Sequence, residues 1–204
     1  MKKRFFITFE GSEGSGKSTQ IKRLAADLKK RGYRVLVLRE PGGTRISEAI
    51  RRILLDRKFK VMSPKAELLL YLAARAQVVF EKIVTALQRG EVVICDRFED
   101  STLAYQGFGR KISFKIIDTL SRFVRGPLRP DLTIVLDIDA KQGMKRGGRK
   151  DRIERESYAF HGRVRRGFLK LARKDPKRFM ILDALADKEI IARKILERVH
   201  CELR

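Results

Sequence analysis

Short, continuously apolar runs recur along the chain, each closing on a glycine or a charged residue, with longer amphipathic stretches between them. Phe5-Phe6-Ile7-Thr8-Phe9 is β-prone and runs into glycines. A helical pattern follows over 17–31 and stops at Gly32. Arg34-Val35-Leu36-Val37-Leu38 reads as a second strand, followed by helical patterns over 46–55 and about 64–89. Ser63-Pro64 is a start signal for the latter and Gly90 a stop. Val92-Val93-Ile94-Cys95, Leu132-Thr133-Ile134-Val135-Leu136 and Phe179-Met180-Ile181-Leu182 complete five strands, each of these three meeting an aspartate: Asp96, Asp137 and Asp183. Runs without alternation suit parallel strands covered on both faces. The expected fold is α/β, one doubly wound five-stranded parallel sheet in a single domain over 1–204. Ligands of such sheets bind beyond the carboxyl ends of the strands, so the residues just after each run carry the chemistry.

Composition narrows the class. Hydrophobic residues at 43% and charged residues at 36% describe a globular chain, not a disordered one. No apolar run approaches a membrane span, and the apolar stretch behind the basic Met1-Lys2-Lys3-Arg4 ends at Phe9, which reads as a strand and not a signal peptide. Two cysteines, Cys95 in an apolar run and Cys201 near the C-terminus, form no disulfide framework, and the protein is expected in the cytoplasm. His161 and His200 are isolated and lack metal-ligand spacing. The net charge of +23 attracts polyanions, and its basic residues thicken between Lys141 and Arg178.

After the first strand comes Gly11-Ser12-Glu13-Gly14-Ser15-Gly16-Lys17-Ser18, which fits G-x-x-x-x-G-K-[ST]. The glycines let backbone N–H groups turn inward around the phosphates of ATP, Lys17 reaches the β- and γ-phosphates, and the Ser18 hydroxyl, with Thr19 beside it, faces Mg²⁺. The helix opening at Lys17 adds the positive end of its dipole. A GTPase reads guanine with N-K-x-D, and this sequence has no Asn. A motor ATPase strand ends in Asp-Glu, whereas the third strand here ends in Asp96-Arg97, a ligand for Mg²⁺ and its waters beside a phosphate clamp. That pairing suits phosphoryl transfer to a small molecule, where catalysis is positioning plus charge stabilisation.

Further segments complete a pattern: Phe9-Glu10-Gly11, Arg39-Glu40-Pro41-Gly42-Gly43-Thr44, Leu70-Tyr71-Leu72-Ala73-Ala74-Arg75, Asp96-Arg97-Phe98, Ser101-Thr102-Leu103-Ala104-Tyr105-Gln106-Gly107, Arg129-Pro130-Asp131-Leu132-Thr133 and Asp151-Arg152-Ile153-Glu154. Together with the P-loop they resemble the thymidylate kinases, a family of nucleoside monophosphate kinases, over most of the chain from Phe9 to about Arg163. The resemblance implies ATP and dTMP as substrates. It implies that Glu13 faces the acceptor's sugar and phosphate, that Arg97 holds the acceptor phosphate and that Asp96 organises the metal and its waters. It implies that Arg75 bonds the thymine edge under a ring from Tyr71, and that Ser101, Thr102, Tyr105 and Gln106 line base and sugar, Tyr105 crowding the 2′ position. Glu40, Pro41 and Thr44 would shape the pocket wall, and the family resemblance implies a homodimer through helix faces. Tyr71 and Arg75 are four apart, hence on one helix face, and an arginine on so apolar a helix needs a buried partner.

The segment Arg146-Gly147-Gly148-Arg149-Lys150-Asp151-Arg152 reads as a short arginine-rich lid over about 146–156, flexible at its glycines and able to neutralise a transferring phosphoryl group. In one branch of the family the P-loop itself carries an arginine; its position here is Gly14, so the charge falls to the lid, first to Arg149, then Arg152, with Arg146 and Arg155 as further candidates. The expected reaction is in-line attack by a dTMP phosphate oxygen on the γ-phosphorus of MgATP, without a covalent enzyme intermediate or general base. Two alternatives remain: a kinase for another monophosphate such as dUMP, UMP or AMP, and, more distantly, a nucleic-acid-binding P-loop protein suggested by the charge alone.

Overall fold

The computed structural model describes residues 4–147 and 151–203. The core is a sheet of five parallel strands, β1 (Phe5–Glu10), β2 (Val35–Arg39), β3 (Val92–Asp96), β4 (Leu132–Asp137) and β5 (Phe179–Asp183), in the order β2-β3-β1-β4-β5. The five apolar runs become these five strands. Each strand also takes in the polar residue at its end, because the ladder still pairs there: Phe9 and Arg39 with Asp96, Glu10 with Val135, and Asp137 with Asp183. The carboxylates therefore stand on the last rung, fixed by backbone pairing rather than carried on a loop.

Crossover helices cover both faces. On one, Phe5, Ile7 and Phe9 pack with Ile21, Leu24 and Leu28 of α1 (Lys17–Lys30) and with Ile191, Ile195 and Val199 of α9 (Lys188–Leu203). The alternate residue Phe6 faces the other layer, against Val78, Ile83 and Phe98. Thr8 and Glu10 share that second face by the two-residue period of a strand. They are polar yet fully buried, and they lead toward the carboxyl end of the sheet.

The second layer begins with α2 (Arg45–Leu55) and α3 (Pro64–Val78). The expected single helix over 64–89 is interrupted: α3 passes into a π-helical turn, Val79–Ile83, before α4 (Val84–Gln88), with the Val84 N–H reaching back five residues to Val79. Such a turn inserts a residue and rotates the helix beyond it, which periodicity alone does not reveal. After β3 come α5 (Glu99–Thr102), a second π-helical stretch Leu103–Gly109, and α6 (Phe114–Arg125). After β4 come α7 (Ala140–Gly147) and α8 (Tyr158–Lys174). α8 lays Phe160, Val164 and Phe168 against Tyr105 and Val135.

Candidate active site

The P-loop turns between β1 and α1. α2, α3 and α8 each begin on a side-chain cap, from Thr44, Ser63 and Ser157. α1 begins on Gly16 at φ 88°, with no side-chain cap and no acidic residue in its first turn. Its opening N–H groups and dipole are left for an anion. Lys17 is buried and donates to the carbonyls of Gly11 at 3.2 Å and Ser12 at 3.0 Å. Burial and the nearby Arg97 push its ammonium below its ordinary pKa.

Pairing of β1 with β3 brings Asp96 and Arg97 beside this loop. Arg97 sits at φ 71°, a left-handed conformation that costs an arginine about 1–2 kcal/mol. Surrounding bonds hold it there. The Arg97 N–H donates to Phe9 O at 2.9 Å, and the next N–H, of Phe98, donates to Glu10 Oε1 at 2.8 Å. Ser101 Oγ donates to Glu10 Oε2 at 2.5 Å. The guanidinium then reaches Gly11 O at 3.0 Å and Ser101 Oγ at 3.2 Å, and pairs with Glu13. Burial works against a charged Glu13, but Arg97 and Lys17 outweigh it and hold the carboxyl near a pKa of about 2. Burial, reinforced by Asp100, pushes Glu10 up to about 8.

Arg75 of α3 is 2% exposed and finds the buried partner its position requires. Its Nε and Nη2 lie 2.8 and 2.7 Å from Glu40 Oε2, its Nη1 donates to Thr102 Oγ1 at 3.0 Å, and its guanidinium lies 4.8 Å from the Phe98 ring centroid. Burial disfavours its charge and Glu40 more than restores it.

Two cavities meet over these residues. The first is lined by Pro41, Tyr71, Arg75, Phe98, Ser101, Thr102, Tyr105 and Gln106, among others. The second runs along the P-loop from Glu13 to Thr19 and includes Asp96. Glu13, Glu40, Arg51, Arg97, Asp151 and Glu154 line both. The arrangement is two anion-receiving compartments joined at a wall of two arginines and four carboxylates. Tyr105 lies with its ring centroid 5.2 Å from the Arg97 guanidinium carbon, and burial pushes its hydroxyl up to about 12, so it stands as a neutral phenol.

Most sequence-expected positions converge here, and a few stand elsewhere. Thr44 lines neither cavity; it is buried at the start of α2, accepting the Ser47 N–H at 3.1 Å and donating to Ser47 Oγ at 2.8 Å. Arg152 is 9% exposed and committed to Glu67 at 2.7 Å and Leu54 O at 2.9 Å. Arg146 donates to Ala184 O at 3.0 Å. Arg155 is exposed, and Arg149 lies outside the described residues. Gly14 explains why this P-loop carries no arginine: a Cβ there would stand 2.2 Å from Gly143 O of α7.

Sequence reasoning missed Arg51, Asp151 and Glu154. Arg51 stands six residues into α2, and no local spacing marked it, since Thr44 at the cap lines neither cavity while Arg51 lines both. Arg51 Nη1 donates to Pro41 O at 2.9 Å. Asp151 and Glu154 stand in a stretch whose arginines dominate its composition. Each accepts the other's N–H, at 2.8 Å from Glu154 and 3.3 Å from Asp151, which folds the stretch so that both carboxylates reach the shared wall.

Oxygen donors for a hard cation are present in the P-loop cavity: the Ser18 hydroxyl and the Asp96 carboxylate, with Glu13 and Glu154 along the same lining. One or two carboxylates plus substrate phosphates and waters is the arrangement Mg²⁺ accepts, so the residues fit that ion. Among the described residues, no helix is long and apolar enough to cross a membrane.

Comparison with known proteins gives one answer. The family model for thymidylate kinase matches residues 9–195. A thymidylate kinase of Geobacter sulfurreducens is 53% identical over 188 residues, covering 88% of each chain. One of Pelobacter propionicus is 48% identical over 204 residues, covering 96% of this chain and 93% of its own. The crystal structure of thymidylate kinase from Ehrlichia chaffeensis superposes with a TM-score of 0.79 at 34% identity, covering 97% of this chain and 99% of that one.

Proposed function

The chain belongs to the thymidylate kinase family, and from that premise we propose which of its residues carry the transfer. The reaction is phosphoryl transfer from ATP to dTMP, giving ADP and dTDP. The observation that carries the assignment is the pair of cavities sharing Glu13, Arg51 and Arg97.

The donor compartment is the P-loop one. Backbone N–H groups from Gly11 to Ser18, with Thr19, receive the ATP phosphates, and Lys17 turns its ammonium from loop carbonyls to the β- and γ-phosphates. Ser18 and Asp96 would hold Mg²⁺, which would supply positive charge to offset that of the phosphates. The acceptor compartment takes dTMP. Tyr71 supplies the ring against thymine, and Arg75, fixed by Glu40 and Thr102, presents one of its two remaining N–H groups to the base edge. Ser101, Thr102, Tyr105 and Gln106 complete the base and sugar walls with Pro41. Arg97, and with it Arg51, grips the acceptor phosphate, while Glu13 accepts from the sugar hydroxyl. The acceptor phosphate is already anionic, so no residue need remove a proton before it attacks in line. The charge that neutralises the transferring group is assigned to Arg149, which lies outside the described residues. Arg152, held by Glu67, roots the lid, and Thr44 positions the wall by capping α2.

We also propose a homodimer. Ile46 and Ile53 on α2, Leu69 and Phe80 on α3 and its π turn, and Ile116 and Phe123 on α6 are all exposed, Phe80 at 78% and Phe123 at 88%. Their spacings of seven or eleven residues put each pair on one stripe of its helix, and α3 packs against both α2 and α6. We propose a cytoplasmic placement as well, the support being a sequence with two cysteines and no disulfide framework.

The test is ADP release over a panel of dTMP, dUMP, UMP and AMP with wild type, Lys17→Ala and Arg97→Ala. Wild type is expected to prefer dTMP, and each variant to lose at least about a hundredfold in kcat while keeping its thermal transition. Near-normal turnover of dTMP by Lys17→Ala would overturn the cradle, and a better acceptor than dTMP would overturn the roles given to Tyr71 and Arg75.

A further inference from the structure

Behind the acceptor wall stands a carboxylate that neither cavity touches. Glu67 is on the face of α3 that carries Tyr71 and Arg75, one turn before the first and two before the second. It is 0% exposed. Its Oε1 accepts from Gln106 Nε2 at 2.9 Å and from Arg110 Nε at 3.0 Å. Its Oε2 accepts from Arg110 Nη2 at 2.9 Å and Arg152 Nη1 at 2.7 Å. Glu156 takes the outer side of Arg110 at 2.7 Å. Burial opposes the charge of Glu67, but the Arg110 hydrogen bonds outweigh it and keep the group a carboxylate.

The partners come from separate parts of the chain. Gln106 belongs to the π-helical stretch Leu103–Gly109 and lines the acceptor cavity. Arg152 sits at the lid root, its own N–H donating to Leu55 O at 3.3 Å. Its neighbours Asp151 and Ile153 line the acceptor cavity, and Asp151 also lines the donor one. One buried anion thus fixes an amide that faces the base and a guanidinium that anchors the lid. A buried carboxylate cannot shed a donor without cost. If the Gln106 amide turns to a base, Oε1 loses one donor and the two arginines must readjust on the same carboxyl group.

We propose that Glu67 is a positioning residue that couples dTMP in the acceptor cavity to the setting of the lid root through Gln106 on one side and Arg152 on the other. This rests on the reading of that cavity as the dTMP site. Glu67→Gln keeps the shape, removes the charge and sets an NH₂ group against at least one guanidinium.

The experiment uses the full chain and three readouts: calorimetric titration with dTMP alone, titration with ATP alone, and the rate of tryptic cleavage within 146–156 with and without dTMP. Wild type should bind dTMP and change its cleavage rate on doing so. Glu67→Gln should lose about tenfold in dTMP affinity, keep ATP affinity within about twofold, and show a cleavage rate indifferent to dTMP. Arg152→Lys, which keeps a charge but has one nitrogen in place of the Nε and Nη1 that serve Leu54 O and Glu67 separately, should lose the cleavage response while holding dTMP affinity within about threefold. The proposal is overturned if Glu67→Gln retains both affinity and response, or if its dTMP and ATP affinities fall together, the mark of a general structural role. It is also overturned if Arg152→Lys keeps the full cleavage response, which decides the matter even where Glu67→Gln fails to fold. A wild-type chain that does not bind dTMP would overturn the acceptor-site reading instead.

Discussion

Replacing Gly14 by alanine puts the contact between the P-loop and α7 to a measurement. Gly14 has φ +70°, and an added Cβ would stand 2.2 Å from Gly143 O and 3.0 Å from Arg146 Cβ. Two costs arise. The left-handed backbone takes about 1–2 kcal/mol from any L residue. The methyl group must also retreat to an ordinary carbon–oxygen distance of about 3.3 Å, so the loop or α7 shifts by roughly 1 Å, enough in a positioning element to cost about a hundredfold in rate. Gly16→Ala separates the two, because Gly16 has φ +88° and nothing within 4 Å of its added Cβ. At this chain length 1 kcal/mol moves Tm by about 2–4 °C. Gly16→Ala should therefore lower the nucleotide-free Tm by about 2–8 °C, and Gly14→Ala by more. In a coupled ADP-release assay, Gly14→Ala should lose about a hundredfold in kcat, while calorimetry finds dTMP affinity within about threefold of wild type. A Gly14→Ala protein with the Tm of Gly16→Ala and wild-type kcat would refute the contact.

Glu10 supplies a pH dependence. Its folded pKa of about 8 exceeds the ordinary 4.5, first through burial and then through Asp100, so the folded state favours the proton. The contribution is full below pH 4.5 and is lost as pH rises toward about 8, on the order of a few kcal/mol. Glu10→Gln mimics the protonated form and should flatten that part of the Tm-against-pH curve; an unchanged slope would show that Glu10 does not titrate there. Thr44→Ala should cost about 1 kcal/mol as a lost helix cap and leave KM for dTMP within about twofold, whereas a tenfold rise in KM at unchanged Tm would return Thr44 to the substrate wall. Phe123→Glu should shift the chain from dimer to monomer in light scattering, and a variant that stays dimeric sinks the proposed interface.

How far the fold and the site were legible in the sequence depends on the physical origin of each signal. The five strands were legible as short apolar runs closed by glycines and charged residues; in β1, β3 and β4 the run reflects burial on both faces, whereas Val37 and Ile181 of the edge strands β2 and β5 are exposed. The P-loop was legible because backbone cradling needs glycines at fixed offsets. Arg75 announced itself by its own impropriety, a charge on an apolar helix, although nothing local said that Glu40, thirty-five residues earlier, would meet it. Arg51, Asp151 and Glu154 were hidden because their roles depend on where α2 and the lid root fall over the sheet. Arg152 shows the opposite failure. Its neighbours look like an exposed basic loop, yet Glu67 and Leu54 O draw it inside. Residue type suggested phosphate neutralisation, and only the partners distinguish a free guanidinium from an anchoring one.

The +23 charge is resolved by location. In and behind the site most arginines meet carboxylates: Arg75 faces Glu40, Arg97 faces Glu13, and behind the wall Arg110 and Arg152 share Glu67, while Lys17 and Arg51 donate to backbone carbonyls. Substrate phosphates thus enter a lattice of pairs already oriented by carboxylates, and what they gain is direction more than excess charge. Unbalanced charge lies on outer faces instead. Arg166, Lys170, Arg173 and Lys177 are exposed at spacings of four, three and four residues, a stripe that continues off the end of α8. Its last members precede Phe179, where β5 begins, and so lie toward the amino-terminal edge of a sheet whose carboxyl edge carries the two cavities. Exposed charges more than about 10 Å apart are largely screened at 0.1 M salt. The stripe can therefore raise the local concentration of any polyanion without aiming it at Arg97. Net charge and site chemistry are separate properties of this chain: the exposed basic stripe stands apart from the arginine–carboxylate pairs that line and back the two cavities.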